Sequence, residues 1–138
     1  MIIADTGFFL ALANSRDDHH ETAKRALKRI REPLVTTWPV MTETCHLLSN
    51  RLSPAAAATF VTSAARGAFV IFQLTSDHLD GIAGLLRKYA QLPMDLADAS
   101  LVILAEHLGS GRIVSTDRRD FGTYRWKGRR PFRNLMVD

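Results

Sequence analysis

The sequence predicts an α/β fold: a three-layer α/β/α sandwich built on a central parallel sheet. Three observations lead there. Short apolar runs with β-branched or aromatic content, IIA (2–4), LVTT (34–37), AFVIFQL (68–74) and RIVS (112–115), punctuate the chain. The gaps between them carry apolar residues at helical spacing, and strands that alternate with helices pair in parallel with helices on both faces. A length of 138 residues with 46% hydrophobic content is enough for one core and one domain, 1–138, without disulfides or structural metal.

The elements follow in order. IIAD ends in a carboxylate, Asp5, and TGFFLALA (6–13) is a helix that Thr6 would cap. A second helix is predicted from Asp18 to Arg31. Asp17, Asp18 and Glu21 gather at its start, and Lys28, Arg29 and Arg31 in its last turn, as a helix dipole favours. Pro33 ends it, and LVTT is the next strand. Pro39 suits the first turn of a helix that carries Val40, Glu43, Leu47 and Leu48 to the region of Arg51. Ser53 and Pro54 open an alanine-rich helix that closes near Gly67. AFVIFQL is the third strand. Ser76 or Asp77 then caps a helix with Leu79, Ile82, Leu85, Leu86 and Tyr89 at helical spacing. After Pro93, Asp95 caps a helix whose apolar face includes Leu96, Ala99, Val102, Ile103 and Leu108, and Gly109 closes it. RIVS runs into Thr116 and Asp117, and NLMV (134–137) would add a last strand.

Composition narrows the setting. Cys45 is alone, so there is no disulfide framework, and the apolar runs fall short of a membrane span. The opening lacks the basic and apolar regions of a signal peptide. These features predict a cytoplasmic protein with no membrane partner. The formal net charge is +4, and its distribution is uneven. Residues 1–111 hold 10 Lys/Arg against 11 Asp/Glu, whereas 112–138 hold 8 against 3. Tyr124 and Trp126 lie among those C-terminal cations. The segment reads either as a nucleic-acid platform, with cations on phosphates and rings on bases, or as a solvated basic tail.

Four carboxylates stand in unusual places. Asp5 ends the first strand, Glu43 lies inside the helix after the second, Asp98 lies in the first turn of an apolar helix, and Asp117 follows the strand RIVS. Open α/β sheets bind ligands at the carboxyl ends of their strands, where strand order reverses. If the first strand is central, Asp5 and Asp117 meet at that edge, and the flanking helices bring Glu43 and Asp98 to it. Two unit charges about 5 Å apart repel by about 3 kcal/mol at an effective dielectric near 20. A cluster of four therefore calls for cations, and an all-oxygen set suits Mg²⁺ or Mn²⁺. Metal-assisted hydrolysis of a phosphodiester follows as the chemistry. Each acid also has an ordinary explanation: Asp5 as a helix cap, Glu43 as a solvated helix residue, Asp98 as part of a cap, Asp117 in a turn with Arg118 and Asp120. Asp95, three residues before Asp98, reads as an N-cap with a supporting role. His46 would edge the site, and His19 and His20 would be exposed. HExxH, Cys/His zinc patterns, GxGxxG and GxxxxGK[ST] are all absent.

The segments ADTGFFLAL, MTET around Glu43, MDLADASLVILAEHLG and IVSTDRRDF resemble PIN domains, and more narrowly the VapC ribonuclease toxins of bacterial toxin–antitoxin pairs. The likeness runs along nearly the whole chain, with LADAS and STDRRDF its most specific pieces. It implies an α/β/α sandwich with an acidic pocket for Mg²⁺ or Mn²⁺, in which Asp5 and Asp98 match the principal metal-binding aspartates, Glu43 the glutamate and Asp117 the fourth acid. Thr6 and Thr116 match hydroxyl positions beside that pocket. Gly7 stands where many relatives have serine. The resemblance further implies an RNA substrate, a cognate antitoxin that blocks the pocket, and a homodimer, with the basic segment including Arg118 and Arg119 as the RNA platform. A toxin endoribonuclease leads. A PIN nuclease with a processing role, and a non-catalytic RNA-binding module on the same fold, are the alternatives.

Overall fold

In the computed structural model, residues 1–136 are described. The chain runs β1 (Ile2–Ala4), α1 (Thr6–Ala13), α2 (His20–Arg29), β2 (Leu34–Thr37), α3 (Trp38–Arg51), α4 (Pro54–Ala65) and β3 (Val70–Phe72). A short 3₁₀ turn (Ser76–His78) leads into α5 (Leu79–Lys88), α6 (Leu96–Leu108), β4 (Arg112–Val114) and α7 (Arg118–Thr123). Three short strands end it: β5 (Arg125–Trp126), β6 (Arg130–Pro131) and β7 (Arg133–Asn134).

Five strands form one sheet in the order β3-β2-β1-β4-β7, and every pair in it is parallel. β1 and β2 are buried at every position, because helices cover both faces and leave no side for polar residues. Parallel crossovers are right-handed, which fixes the layers. The chain moves outward from β1 to β2 to β3, placing α1–α4 on one face. It then returns past β1 to β4 and on to β7, placing α5–α7 on the other. Ile3, Ala4, Ile113 and Val114 fill the middle of the sheet, with Phe8 and Val40 packed from one layer and Leu101, Val102 and Leu104 from the other. Phe9, Phe60 and Phe69 form an aromatic cluster under α1 and α4, with ring centroids 4.7–5.3 Å apart.

Several local expectations change. The α1 cap is Asp5, whose side chain accepts from the Thr6 amide; Thr6 is already helical. α2 begins at His20, because Asn14 and Asp17 side chains accept from Arg16 and His19 amides and turn the chain first. Only Val70–Phe72 pair as β3, and Val70 is exposed on this edge strand. Thr75, rather than Ser76 or Asp77, caps the 3₁₀ turn, with His78 closing a reciprocal capping box. Leu79 and Leu96 start their helices exposed. The last strand of the sheet is Arg133–Asn134, continued by the Leu135 amide donating to Ile113 O at 2.7 Å. Val137, the end of the predicted strand, lies outside the described residues.

The largest departure is in residues 112–136, which are folded. Asp117 caps α7, and β5 and β6 form a hairpin turned by Lys127 (φ 50°) and Gly128 (φ 76°). A lysine in the left-handed region is uncommon, so the turn carries no Asn-Gly or Asp-Gly signal. Trp126 sits under the hairpin, its Nε1 donating to Pro131 O. Among the described residues no helix is long and apolar enough to cross a membrane.

Candidate active site

β1 is the central strand, and the chain leaves it and β4 in opposite directions. The crevice between their carboxyl ends is where an open α/β sheet receives ligands. Asp5 follows β1 directly, and Ser115, Thr116 and Asp117 follow β4. Glu43 comes from α3 in one layer and Asp98 from α6 in the other. These four acids, Thr6 and Thr116 line one cleft of about 470 Å³. The convergence expected of residues far apart in sequence is therefore present. Asp17, Asp95 and Asp120 add to the negative charge, and His19 and Arg51 also face it. Among the described residues no three His, Cys, Asp or Glu side chains already form a coordination shell. The acids share the cleft without closing on a common point.

Asp5 is the most firmly held. Its Oδ1 accepts from the Thr6 amide at 2.7 Å and its Oδ2 from the Ser115 hydroxyl at 2.8 Å. The Ser115 oxygen also accepts from the Asp117 amide at 2.9 Å, so one hydroxyl ties together the acids after β1 and β4. Asn134 on β7 clasps the Ser115 backbone on both sides. Burial pushes the Asp5 carboxyl up to about 6; the two hydrogen bonds oppose that push, while Glu43 and Asp117 add to it. Asp98 is pushed further, to about 8, although it is more exposed, by burial first and then by the charge of Asp95. Its support is sparser than that of Asp5: the Asp95 amide at 3.2 Å and the Tyr124 hydroxyl at 3.3 Å both donate to Oδ2. Burial raises Glu43 as well, against the Thr6 hydroxyl, which pulls it down. Burial raises Asp120, and Asp117 beside it adds to the effect.

Asp95 caps α6 as expected, its Oδ1 accepting from the Asp98 amide at 2.8 Å. Thr6 presents a buried Oγ1 that has no hydrogen-bond partner of good geometry. Arg118 and Arg119 are exposed on α7, between the cleft-lining Asp117 and Asp120; Arg51 does line the cleft, and its place on α3 about two turns after Glu43 was the available signal. Tyr124 and Trp126 are buried, so neither ring can stack on a base. The Tyr124 hydroxyl serves Asp98 instead, and burial and the nearby carboxylates raise its pKa. His46 pairs with Asn50 away from the cleft. Cys45 lines a separate apolar cleft with Trp38 and Met41. Ser115 went unrecognised, since a serine at a strand end has many ordinary uses. Arg112 and Arg133 start β4 and β7, at the sheet edge opposite the acids, where they share a groove with Arg29, Arg31 and Glu32.

Fold and cleft together define an α/β/α protein with an acidic site at the switch point of a parallel sheet. The family described as PIN domain matches residues 2–127, and the chain belongs to it. It is 25% identical over 124 residues to ribonuclease VapC26 of Mycobacterium tuberculosis, spanning 90% of this chain and 92% of that protein. The crystal structure of VapC20 from the same organism, a Sarcin-Ricin loop cleaving toxin, superposes with a TM-score of 0.79 at 24% identity. That match covers 86% of this chain and 92% of the other.

Proposed function

We propose that this protein is a divalent-metal-dependent endoribonuclease that hydrolyses RNA phosphodiester bonds, acting as the toxin of a toxin–antitoxin pair. The observation that carries the reading is the meeting of Asp5, Glu43, Asp98 and Asp117 in one cleft, drawn from both ends of the chain and both helical layers. Membership of the PIN family and likeness to a ribonuclease along nearly the whole chain support it.

The donor set fits a hard divalent cation. It is all oxygen, it is partly desolvated, and it raises the pKa values of Asp5, Glu43 and Asp98, which is the state a cation relieves. Asp5 and Asp98 would hold it first, with Glu43 and Asp117 completing the set. When bound, Mg²⁺ or Mn²⁺ supplies Lewis acidity toward the phosphate and lowers the pKa of coordinated water. The chain's own part is positioning. Ser115 and the Thr6 amide hold Asp5, and Tyr124 and the Asp95 amide orient Asp98. A cognate antitoxin and a homodimeric state belong to the same reading. Exposed Trp38, Val61 and Val70 are apolar surface that association would cover.

Asp5→Asn and Asp98→Asn keep shape and remove charge. Each is expected to lower cleavage of total bacterial RNA in Mn²⁺ by at least about a hundredfold, with the melting transition intact. Full activity in either folded variant, or in excess chelator, would defeat the proposal.

A further inference from the structure

Gly7 is the second residue of α1 and faces the acidic cleft. Its φ is not positive, so its backbone does not require glycine. A Cβ built on Gly7 would stand 1.9 Å from Thr116 Oγ1 and 3.2 Å from Thr116 Cβ, so a side chain at this position would turn that hydroxyl aside. The first distance is far inside van der Waals contact, so the hydroxyl occupies the place a side chain at position 7 would take. The Thr116 backbone has little room to retreat, because its neighbour Ser115 is clasped by Asn134 and tied to Asp5. Thr116 Oγ1 has no hydrogen-bond partner among the described residues.

Two more neutral donors stand beside it. The Thr6 hydroxyl is 95% buried by residue, lines the same cleft beside Glu43 and has no hydrogen-bond partner of good geometry. The Gly7 amide lies in the first turn of α1, where no intrahelical acceptor exists. Carboxylates repel a phosphodiester. Neutral hydroxyls and amides at a helix N-terminus are groups that donate to its oxygens.

We propose that Gly7 is a positioning residue whose missing side chain seats the Thr116 hydroxyl in the cleft, where that hydroxyl donates to a non-bridging oxygen of the RNA phosphate being cut. This rests on the endoribonuclease reading above and assigns the phosphate-facing wall of that site.

Thr116→Val tests the hydroxyl with shape conserved, Thr116→Ser restores it, and Gly7→Ala displaces it. Steady-state cleavage of total bacterial RNA in Mn²⁺ is the readout, with the Mn²⁺-induced rise in melting temperature as a second one. Thr116→Val and Gly7→Ala are each expected to lower kcat/KM by about tenfold to a hundredfold, the loss of one hydrogen bond to a charged group. Thr116→Ser stays within about threefold of the unsubstituted protein, the Gly7→Ala/Thr116→Val double variant is no worse than either single one, and all four keep the Mn²⁺ shift. Unimpaired cleavage by Thr116→Val, a serine variant as poor as the valine one, or losses that multiply in the double variant would each overturn the proposal. If Gly7→Ala does not fold, the two Thr116 variants still decide. Failure of the unsubstituted protein to cut RNA would sink the nuclease reading and this inference together, whereas equal cutting by Thr116→Val sinks this inference alone.

Discussion

Asp5 and Asp98 differ in how they are held, and the difference sets how each titrates. Asp5 has strong donors on both oxygens; Asp98 has two longer bonds to one oxygen and a carboxylate neighbour. In the unfolded chain both lose their protons near 3.8, but in the folded protein they do so near 6 and near 8. Across that window the folded state binds more protons, so these two acids make the metal-free protein less stable as pH rises from about 4 to 8. Melting in chelator across this range is expected to show the decline, and Asp98→Asn to flatten its part above pH 6. A wild-type-like slope in that variant would show that Asp98 is not the group responsible.

At the scale of elements, α6 joins stability to the site. Asp95 caps it and Gly109 ends it in the left-handed conformation (φ 66°) that glycine allows. The cap places a second negative charge beside Asp98, so helix stability and site repulsion come from one residue. Asp95→Asn keeps an oxygen to accept from the Asp98 amide and removes the charge. It is expected to raise the melting temperature of the metal-free protein at pH 8, and Asp95→Ala, which loses the cap, to lower it by an amount equivalent to about 1 kcal/mol. The β5–β6 hairpin depends on a different close approach. A Cβ at Gly111 would lie 2.3 Å from Trp126 Nε1 and 3.2 Å from Pro131 O. Gly111→Ala should therefore cost about 1–3 kcal/mol in chemical denaturation, the usual penalty of overpacking.

For the whole molecule, the two edges of the sheet carry opposite charge. The carboxyl edge holds the acids. The amino edge holds Arg29, Arg31, Arg112 and Arg133, with Glu32 paired to Arg112 and to the N-terminal amine. That separation makes the acidic cleft a local sink for cations within a protein of net charge +4. Millimolar Mn²⁺ is expected to raise the melting temperature; at a hundred times its Kd the gain is about 2.7 kcal/mol. Asp5→Asn should lose most of that rise, and a melting temperature indifferent to metal would remove the site's main support.

The central parallel sheet, one strand after another, was legible because buried strands and amphipathic helices leave periodic apolar patterns that depend only on near neighbours. The four acids were legible for a related reason: Asp5 and Asp117 end strands, and a parallel sheet sends all strand ends to one edge. Local signals failed where long-range contacts decide. Tyr124 and Trp126 read as surface rings among cations, yet a hairpin turned by Lys127 and Gly128 folds them inward, and Tyr124 becomes a donor to Asp98. Ser115 gained its role only when β1 and β4 became neighbours, and Gly7 only when Thr116 came to rest against it. The sequence by itself determined the sheet, its helical layers and the acids at its edge, since those follow from periodicity and chain direction. Only the tertiary structure decided which hydroxyls and cations accompany the acids, because packing brings them together across separations of up to 110 residues, as for Ser115 and Asp5.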